Sequence, residues 1–306
     1  MGVGVKTPTP VCFLSILRVQ STRILCQPVE AIMATSFEEI TVRVLASTVV
    51  DRVAVREWLD EMGADEFEIP DEETVSDPSL LVALAAKQCY MAFQPGLNPN
   101  VNKVRADMVE YLDNVLKQKH GSVLEHAVLS FGINGCSRVF TGEMNRHRAG
   151  VGISERSMRY VRYTNIKFWM PECFRDDDSD TPNISEKKRQ SREVLTSQFA
   201  LQEHMMAAFA EIWKEELAPA STFHAKKVLT SAFRRGIGMG IATGGVWSLN
   251  LRALRHVIAL RTDAGAEEEI VHVCKKVGKI MIARVPELFG DFKEVGGSFV
   301  PEYWKV

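Results

Sequence analysis

Residues 143–163 read EMNRHRAGVGISERSMRYVRY, and their charged groups follow an ordered pattern. The segment contains three consecutive cationic or titratable residues, Arg146, His147 and Arg148, and later three polar residues at alternating positions, Glu155, Ser157 and Arg159. Alternating residues of an extended strand lie on one face. The pattern therefore predicts a face that offers a carboxylate, a hydroxyl and a guanidinium to a ligand with phosphate and hydrogen-bonding edges. The alternative interpretation is a solvated basic loop that leads into an edge strand.

Two further segments lie on either side of this one. Residues 120–126 read HGSVLEH and are followed by Ser137-Arg138, while residues 247–261 read WSLNLRALRHVIALR. Together the three segments resemble the flavin-dependent thymidylate synthase family. That family has an Arg-His-Arg motif ending in Glu-x-Ser-x-Arg-Tyr, an upstream His-x-Ser/Thr-x-x-Glu-His segment, and an Asn-x-Arg helix with a further Arg eleven residues after the Asn. The resemblance extends over roughly residues 40–290.

The resemblance implies FAD as the cofactor and a pyrimidine nucleotide as the substrate. The residues that match flavin-binding positions are Cys89, His120, Ser122, Glu125, Arg146, His147, Arg148, Glu155, Asn250, Arg252 and His256. Those that match nucleotide-binding positions are Glu143, Arg146, Glu155, Ser157, Arg159, Arg234 and Arg261, and the implied catalytic residues are Ser157, Arg159 and Arg261. Arginine suits such a site because its planar guanidinium pairs bidentately with phosphate.

Several of these residues have a purely structural alternative. Ser122 and Glu125 have the Ser-x-x-Glu spacing of a helix capping box. Arg255 and Arg261 are also expected on a solvated helix face near a C-terminus, where cations are favoured. Arg252 and His256 are four residues apart and should share one helix face.

The implied reaction is reductive methylation of dUMP to dTMP. In the family, methylenetetrahydrofolate donates the methylene group, NADPH reduces the flavin, and the reduced flavin provides the hydride. The protein orients the pyrimidine and stabilises negative charge on its oxygens. The resemblance also implies a homotetramer whose active sites are shared between subunits.

Four departures from the family pattern bear on the substrate. Glu143 replaces a Gln that faces the nucleotide, and Cys89 replaces a flavin-contacting Ser. The loop 149–154 is one residue longer than usual, and Gly265 and Glu267 replace a His and a Gln. A carboxylate at position 143 would accept a hydrogen bond from the exocyclic amine of cytosine. Methylation or hydroxymethylation of another pyrimidine nucleotide such as dCMP therefore stays an alternative, as does a non-catalytic flavin- or nucleotide-binding protein.

The composition is that of an enzyme without a nucleic-acid or membrane partner. The chain has 306 residues, 46% of them hydrophobic, and a formal net charge of −2, so no global basic field is present to hold nucleic acid. No apolar run approaches the roughly 18–20 residues of a membrane span. The six scattered cysteines and the pair His120 and His126 fit no common zinc motif, so no metal is predicted. The cysteine spacing is also not that of a disulfide scaffold, which predicts a reducing, cytoplasmic compartment.

Residues 1–32 differ from the remainder, because they contain Lys6, Arg18 and Arg23 but a single acid, Glu30. This composition is typical of an organelle transit peptide, with an unstructured extension or a true start at Met33 as alternatives. Residues 33–306 are expected to form one synthase-like domain of the α+β class, with a central, mainly antiparallel sheet flanked by long helices.

Periodicity and turn signals locate the elements of this domain. Strands are predicted at Thr41–Val50, Ala127–Asn134 and Tyr160–Met170, and a polar loop at 175–191. Helices are predicted at Ser79–Tyr90, Lys103–Gln118, Ser191–Leu217, Thr222–Arg235, Val246–Leu260 and Glu267–Arg284.

Overall fold

The computed structural model describes residues 39–101, 103–159 and 167–306. Its strands are β1 (Thr41–Ser47), β2 (Val128–Ser137), β3 (Val151–Glu155), β4 (Ala242–Asn250), β5 (Phe292–Val295) and β6 (Ser298–Pro301). Its helices are α1 (Arg52–Glu61), α2 (Asp77–Tyr90), α3 (Met108–Lys117), α4 (Arg138–Met144), α5 (Pro182–Ile212), α6 (Phe223–Phe233), α7 (Leu251–Arg261), α8 (Glu268–Arg284) and α9 (Pro286–Phe289). Short 3-10 turns occur at Gly121–Glu125, Glu172–Phe174 and Arg234–Gly236.

A four-stranded sheet in the order β1-β2-β4-β3 forms the centre, and each neighbouring pair is antiparallel. Trp247 of β4 is opposite Phe131 of β2 on one side and Ile153 of β3 on the other. The Trp247 side chain is fully buried and packs edge-to-face on Phe140 of α4 at 5.6 Å. The fold also contains the two long helices α5 and α8, and α8 contacts β1. The predicted α+β class with a mainly antiparallel sheet is therefore confirmed.

A buried ion pair ties α7 to the segment before β5. Arg255 lies 2.6 Å from Asp291, and both side chains are almost fully enclosed. Its guanidinium also donates to the carbonyl of Leu288. The expectation that Arg255 lies on a solvated helix face is wrong, because α7 packs with its Arg255 side against α9 and β5.

Two predicted boundaries are wrong in the second half of the chain. The predicted helix Val246–Leu260 is a strand up to Asn250 and a helix only from Leu251. Residues 246–250 also have a period of two, with Trp247 and Leu249 buried, and pairing with β2 selects the strand. More than half of the predicted loop 175–191 is helical, since α5 begins at Pro182 after the N-cap Thr181. The first turns of α5 are largely exposed, so their polar sequence lacks the apolar periodicity that would have predicted a helix.

The predicted helix Ser191–Leu217 corresponds to α5 (Pro182–Ile212), so both of its predicted ends lie too late in the chain. The remaining predicted elements agree to within about three residues, with two exceptions. Helix α3 begins only at Met108, because Asp107 caps it by accepting from the backbone N–H of Glu110 at 2.7 Å. The predicted strand Tyr160–Met170 lies mostly outside the described residues, and Phe168 forms an isolated bridge to Ile241. The predicted segment 1–32 also lies outside the described residues. Within the described ranges, no helix combines the length and apolar character required to cross a bilayer.

Candidate functional site

Helix α4 positions the Arg-His-Arg segment, and contacts at both of its ends hold this helix in place. At its start, the hydroxyl oxygen of Ser137 accepts from the backbone N–H of Val139 at 3.0 Å. Ser137 in turn donates its own N–H and O–H to the buried carboxylate of Glu269 on α8. At its end, the Asn145 side-chain oxygen accepts from the indole N–H of Trp247 at 3.2 Å. The residues that follow α4 therefore leave it in a defined direction.

The Arg-His-Arg segment meets the start of α7 at a cavity of about 540 Å³, called here the Arg-His-Arg cavity. Its lining consists of Glu125, Arg146, His147, Arg148, Ala149, Gly150, Asn250, Arg252, Ala253, His256 and Val257. Seven of the eleven predicted flavin-binding residues are in this set. Three guanidinium groups and the N-terminal end of α7 give the cavity a positive potential, which favours phosphate-bearing ligands.

Asn250 and Gly150 form the junction between the two segments. The side-chain oxygen of Asn250 accepts from the backbone N–H of Ala253 at 2.8 Å and so caps α7. The Asn250 backbone N–H donates to the carbonyl of Gly150 at 3.0 Å. Gly150 has a φ of +68°, and a Cβ placed on it would lie 2.4 Å from the Asn250 side chain. Asn250 therefore has a structural role at the wall of the cavity as well as its predicted ligand role.

A polar network joins α4 to the end of α7 beside the cavity. Arg261 donates from Nε to Nε2 of His147 at 2.8 Å and from Nη1 to a carboxylate oxygen of Glu143 at 3.1 Å. The other Glu143 oxygen lies 3.0 Å from the guanidinium of Arg146. Glu143 is thus neutralised by two arginines.

His147 is held in its neutral form by this network. Burial lowers the pKa of His147 below its usual value, and the nearby Arg261 and His256 lower it further. Because Nε2 accepts from Arg261, the neutral ring carries its proton on Nδ1. The ring centroid of His256 lies 5.9 Å away in an edge arrangement. The wall of the cavity therefore combines permanent arginine charges with an uncharged imidazole.

A second cavity, of about 440 Å³ and called here the Arg138 cavity, flanks the other side of the α4 end. It is lined by Arg138, Thr141, Gly142, Asn145, Met158, Arg234, Arg235, Ile237, Gly238 and Met239. Arg138 lies 2.6 Å from Glu155 and donates to the backbone carbonyl of Arg156 at 2.7 Å. Arg138 was not predicted as a site residue, although the pair Ser137-Arg138 at the end of β2 was noted in the sequence and could have indicated it.

Ser157 and Arg159 do not line these two cavities. The backbone N–H of Arg159 donates to the Ser157 hydroxyl at 3.3 Å, and its Nε donates to Ser231 of α6 at 3.2 Å. Strand β3 ends at Glu155, so the predicted common strand face does not continue to Ser157 and Arg159. Among the contacts of the described residues, Arg261 joins the network with Glu143, whereas Arg159 contacts α6.

The upstream flavin-segment residues are also outside the Arg-His-Arg cavity, apart from Glu125. His120 stacks on Tyr90 at 5.9 Å, and the Cys89 thiol contacts the Ala85 carbonyl within α2 at 3.4 Å. The capping-box interpretation of Ser122 and Glu125 is wrong, because His120 occupies the N-cap of the 3-10 turn Gly121–Glu125 and no side chain caps it.

Comparison with known proteins identifies relatives over most of the chain. Residues 72–287 match the family model of the thymidylate synthase complementing proteins. The flavin-dependent thymidylate synthase of Mycolicibacterium gilvum is 30% identical over 231 residues, which cover 73% of this chain and 84% of the relative. The flavin-dependent thymidylate synthase of Geobacter sulfurreducens is 31% identical over 219 residues, covering 70% of this chain and 82% of the relative.

A similar fold occurs in a solved structure of distant sequence. A UMP/dUMP methylase, PolB from Streptomyces cacaoi bound with 5-Br dUMP, superposes with a TM-score of 0.56 at 14% identity. The superposition covers 83% of this chain and 94% of that protein. At this identity the likeness concerns the fold alone.

Proposed function

We propose, since this chain belongs to the flavin-dependent thymidylate synthase family of methyltransferases, that it converts dUMP to dTMP with FAD as cofactor and methylenetetrahydrofolate and NADPH as co-substrates. The observation that carries the proposal is that Arg146–Arg148 and three residues from the start of α7, Asn250, Arg252 and His256, line one cavity. These two groups are about a hundred residues apart in the sequence. Their meeting is expected if both bind one large ligand.

The lining of the Arg-His-Arg cavity fits a flavin dinucleotide. The guanidiniums of Arg146, Arg148 and Arg252 can neutralise a pyrophosphate, and the apolar side chains of Ala253 and Val257 can contact an aromatic ring. Glu125, the one carboxylate of the lining, is paired with Arg252 at 2.6 Å and so does not repel a phosphate. The flavin, when bound and reduced, would supply the hydride.

The network of Glu143 and Arg261 supports a uracil nucleotide as the substrate. An unpaired carboxylate beside uracil O4 would be repulsive, but Glu143 lies between Arg261 and Arg146. Arg261 is then the donor suited to stabilise negative charge on the pyrimidine oxygens. In the Arg138 cavity, Arg138, Arg234 and Arg235 offer positive charge for the nucleotide phosphate.

A site shared between subunits of a homotetramer would bring Ser157 and Arg159 into the reaction. Arg159 contacts α6, and apolar side chains on α5 and α6 are exposed in the single chain. They include Val194, Leu201, Ile212, Phe223 and Val228. Burial of this surface between subunits would stabilise an oligomer. Light scattering on the purified chain tests this part of the proposal, and a monomer would contradict it.

The presence of a carboxylate at position 143 favours a cytosine nucleotide as the second candidate. The deciding experiment assays the unmodified chain and the Glu143→Gln variant with dUMP and with dCMP, and first measures the visible spectrum after loading with FAD. We expect turnover of dUMP over dCMP in the unmodified chain, and retained preference for dUMP in Glu143→Gln. Preference for dCMP that reverses in the variant would make the second candidate correct. A chain without flavin absorbance near ~450 nm would contradict the cofactor.

A further inference from the structure

Residues 303–306, which follow β6, form a strap across α7 that is firmly attached at its beginning. Arg255 donates from Nη2 to the carbonyl of Tyr303 at 3.1 Å, and the Tyr303 backbone N–H lies 3.3 Å from an Asp291 carboxylate oxygen. The Tyr303 hydroxyl donates to Asp113 at 2.9 Å. The buried pair of Arg255 and Asp291 therefore fixes the start of this strap to the core.

The other end of the strap reaches the Arg-His-Arg cavity through Arg252. The Nε of Arg252 donates to the backbone oxygen of Val306 at 3.3 Å, while its Nη1 donates to Glu125 at 2.6 Å. The strap also touches the backbone of the upstream flavin segment. A Cβ on Gly121 would lie 2.4 Å from the backbone carbon of Val306 and 2.9 Å from Nε of Arg252. A glycine at position 121 therefore allows the close approach of the strap to this segment.

These contacts leave Arg252 held on two sides. Its side chain is 47% exposed, and an exposed arginine without such contacts samples many rotamers. The strap also forms one wall of an adjoining cavity of about 230 Å³, whose lining includes Arg252, His256, Trp304 and Lys305. Arg252 and His256 are common to this cavity and to the Arg-His-Arg cavity.

We propose that the strap 303–306 is a positioning element of the cofactor site, which holds the Arg252 guanidinium in the orientation that an anionic flavin dinucleotide requires. This inference rests on the proposed flavin binding in the Arg-His-Arg cavity. The backbone oxygen of Val306 is one of the two acceptors of Arg252, so the effect depends on the presence and path of the strap. A group that is already oriented before binding loses less conformational freedom on binding, and the affinity rises accordingly.

The test compares FAD binding by the full chain with that of a chain that stops after Trp304. Fluorescence titration gives the Kd for FAD, and thermal unfolding gives the Tm. We expect the shortened chain to bind FAD roughly 5- to 10-fold more weakly, with kcat unchanged at saturating FAD. The matched control is Glu302→Ala, an exposed residue just before the strap, for which we expect an unchanged Kd.

A second variant separates positioning from general loss of stability. Gly121→Ala should displace both the strap and the Arg252 side chain in the full chain, because the added Cβ would lie within 3 Å of each. In the shortened chain only the close approach to Arg252 remains, so Gly121→Ala should weaken FAD binding there by a clearly smaller factor than in the full chain. If the effects of Gly121→Ala and of shortening on the Kd for FAD are fully additive, the strap does not position Arg252. The same conclusion follows if the shortened chain binds FAD within twofold of the full chain. Either result would leave the proposed cofactor unaffected. Absence of FAD binding by the full chain would refute the cofactor assignment itself.

Discussion

Arg261→Lys tests whether the bond pattern of the Glu143 network, rather than its positive charge, matters for turnover. Arg261 contacts His147 through Nε at 2.8 Å and Glu143 through Nη1 at 3.1 Å. Lysine keeps the charge but presents one compact ammonium on a flexible stem, which cannot reproduce the planar geometry of both contacts. The substitution is therefore expected to lose one of the two bonds and to release either His147 or Glu143.

The size of the effect follows from the enclosure of this network. The side chains of Arg261 and Glu143 are 16% and 23% exposed, so solvent screens their interaction only in part. A hydrogen bond that involves a charged group contributes about 1.5–3 kcal/mol, and partial screening favours the lower half of that range. We expect kcat/KM for dUMP to fall roughly 10- to 40-fold. FAD affinity should change less, because Arg261 itself is not in the lining of the Arg-His-Arg cavity.

The assay measures kcat/KM for dUMP at saturating FAD, together with the Kd for FAD. The matched control is Arg189→Lys on the exposed part of α5, where Arg189 pairs with Glu186 and Glu193. Exposed pairs of this kind contribute little, so the control should retain kcat/KM within twofold. An Arg261→Lys enzyme that also stays within twofold would refute the assignment of Arg261 to the nucleotide site.

Three further predictions concern stability. Burial raises the pKa of Glu269 from an ordinary 4.5 to about 7, so the stability that its protonated form contributes is complete below pH 4.5 and is lost as the pH rises through 7. Glu269→Gln should flatten that dependence of Tm between about pH 5 and 8, and an unchanged pH profile would contradict the raised pKa. Asp291→Ala leaves Arg255 buried without its carboxylate partner. It should lower the free energy of unfolding, measured in urea, by about 3–5 kcal/mol. A loss below about 1 kcal/mol would contradict the structural role of this ion pair. Removal of residues 1–32 should leave both Tm and dUMP turnover nearly unchanged, and a large fall in Tm would show that this segment packs on the domain.

The sequence by itself determined the features that depend on local order along the chain. Three motifs in a fixed order identified the family, and the spacing of four between Arg252 and His256 correctly placed both on one side of a helix. The composition and alternating patterns also predicted the α+β class. These signals are readable because helices and strands repeat every 3.6 and 2 residues. Asp107, three residues before Glu110, is also a residue type that caps helices and marks the true start of α3. The predicted helix began earlier, at Lys103, because the apolar spacing continues upstream of Asp107.

Only the tertiary structure decided which of the candidate side chains meet. The segment 246–250 fits both a helical and a strand period, and its partner β2, more than a hundred residues away, selected the strand. Glu143 received its second arginine from a residue 118 positions later. His120, Ser122 and Cys89 match flavin-binding positions but lie outside the Arg-His-Arg cavity. Arg138, which was not predicted as a site residue, lines the Arg138 cavity. Contacts of this kind depend on how whole elements pack in space, and a one-dimensional pattern contains no distance between residues that the chain brings together only on folding.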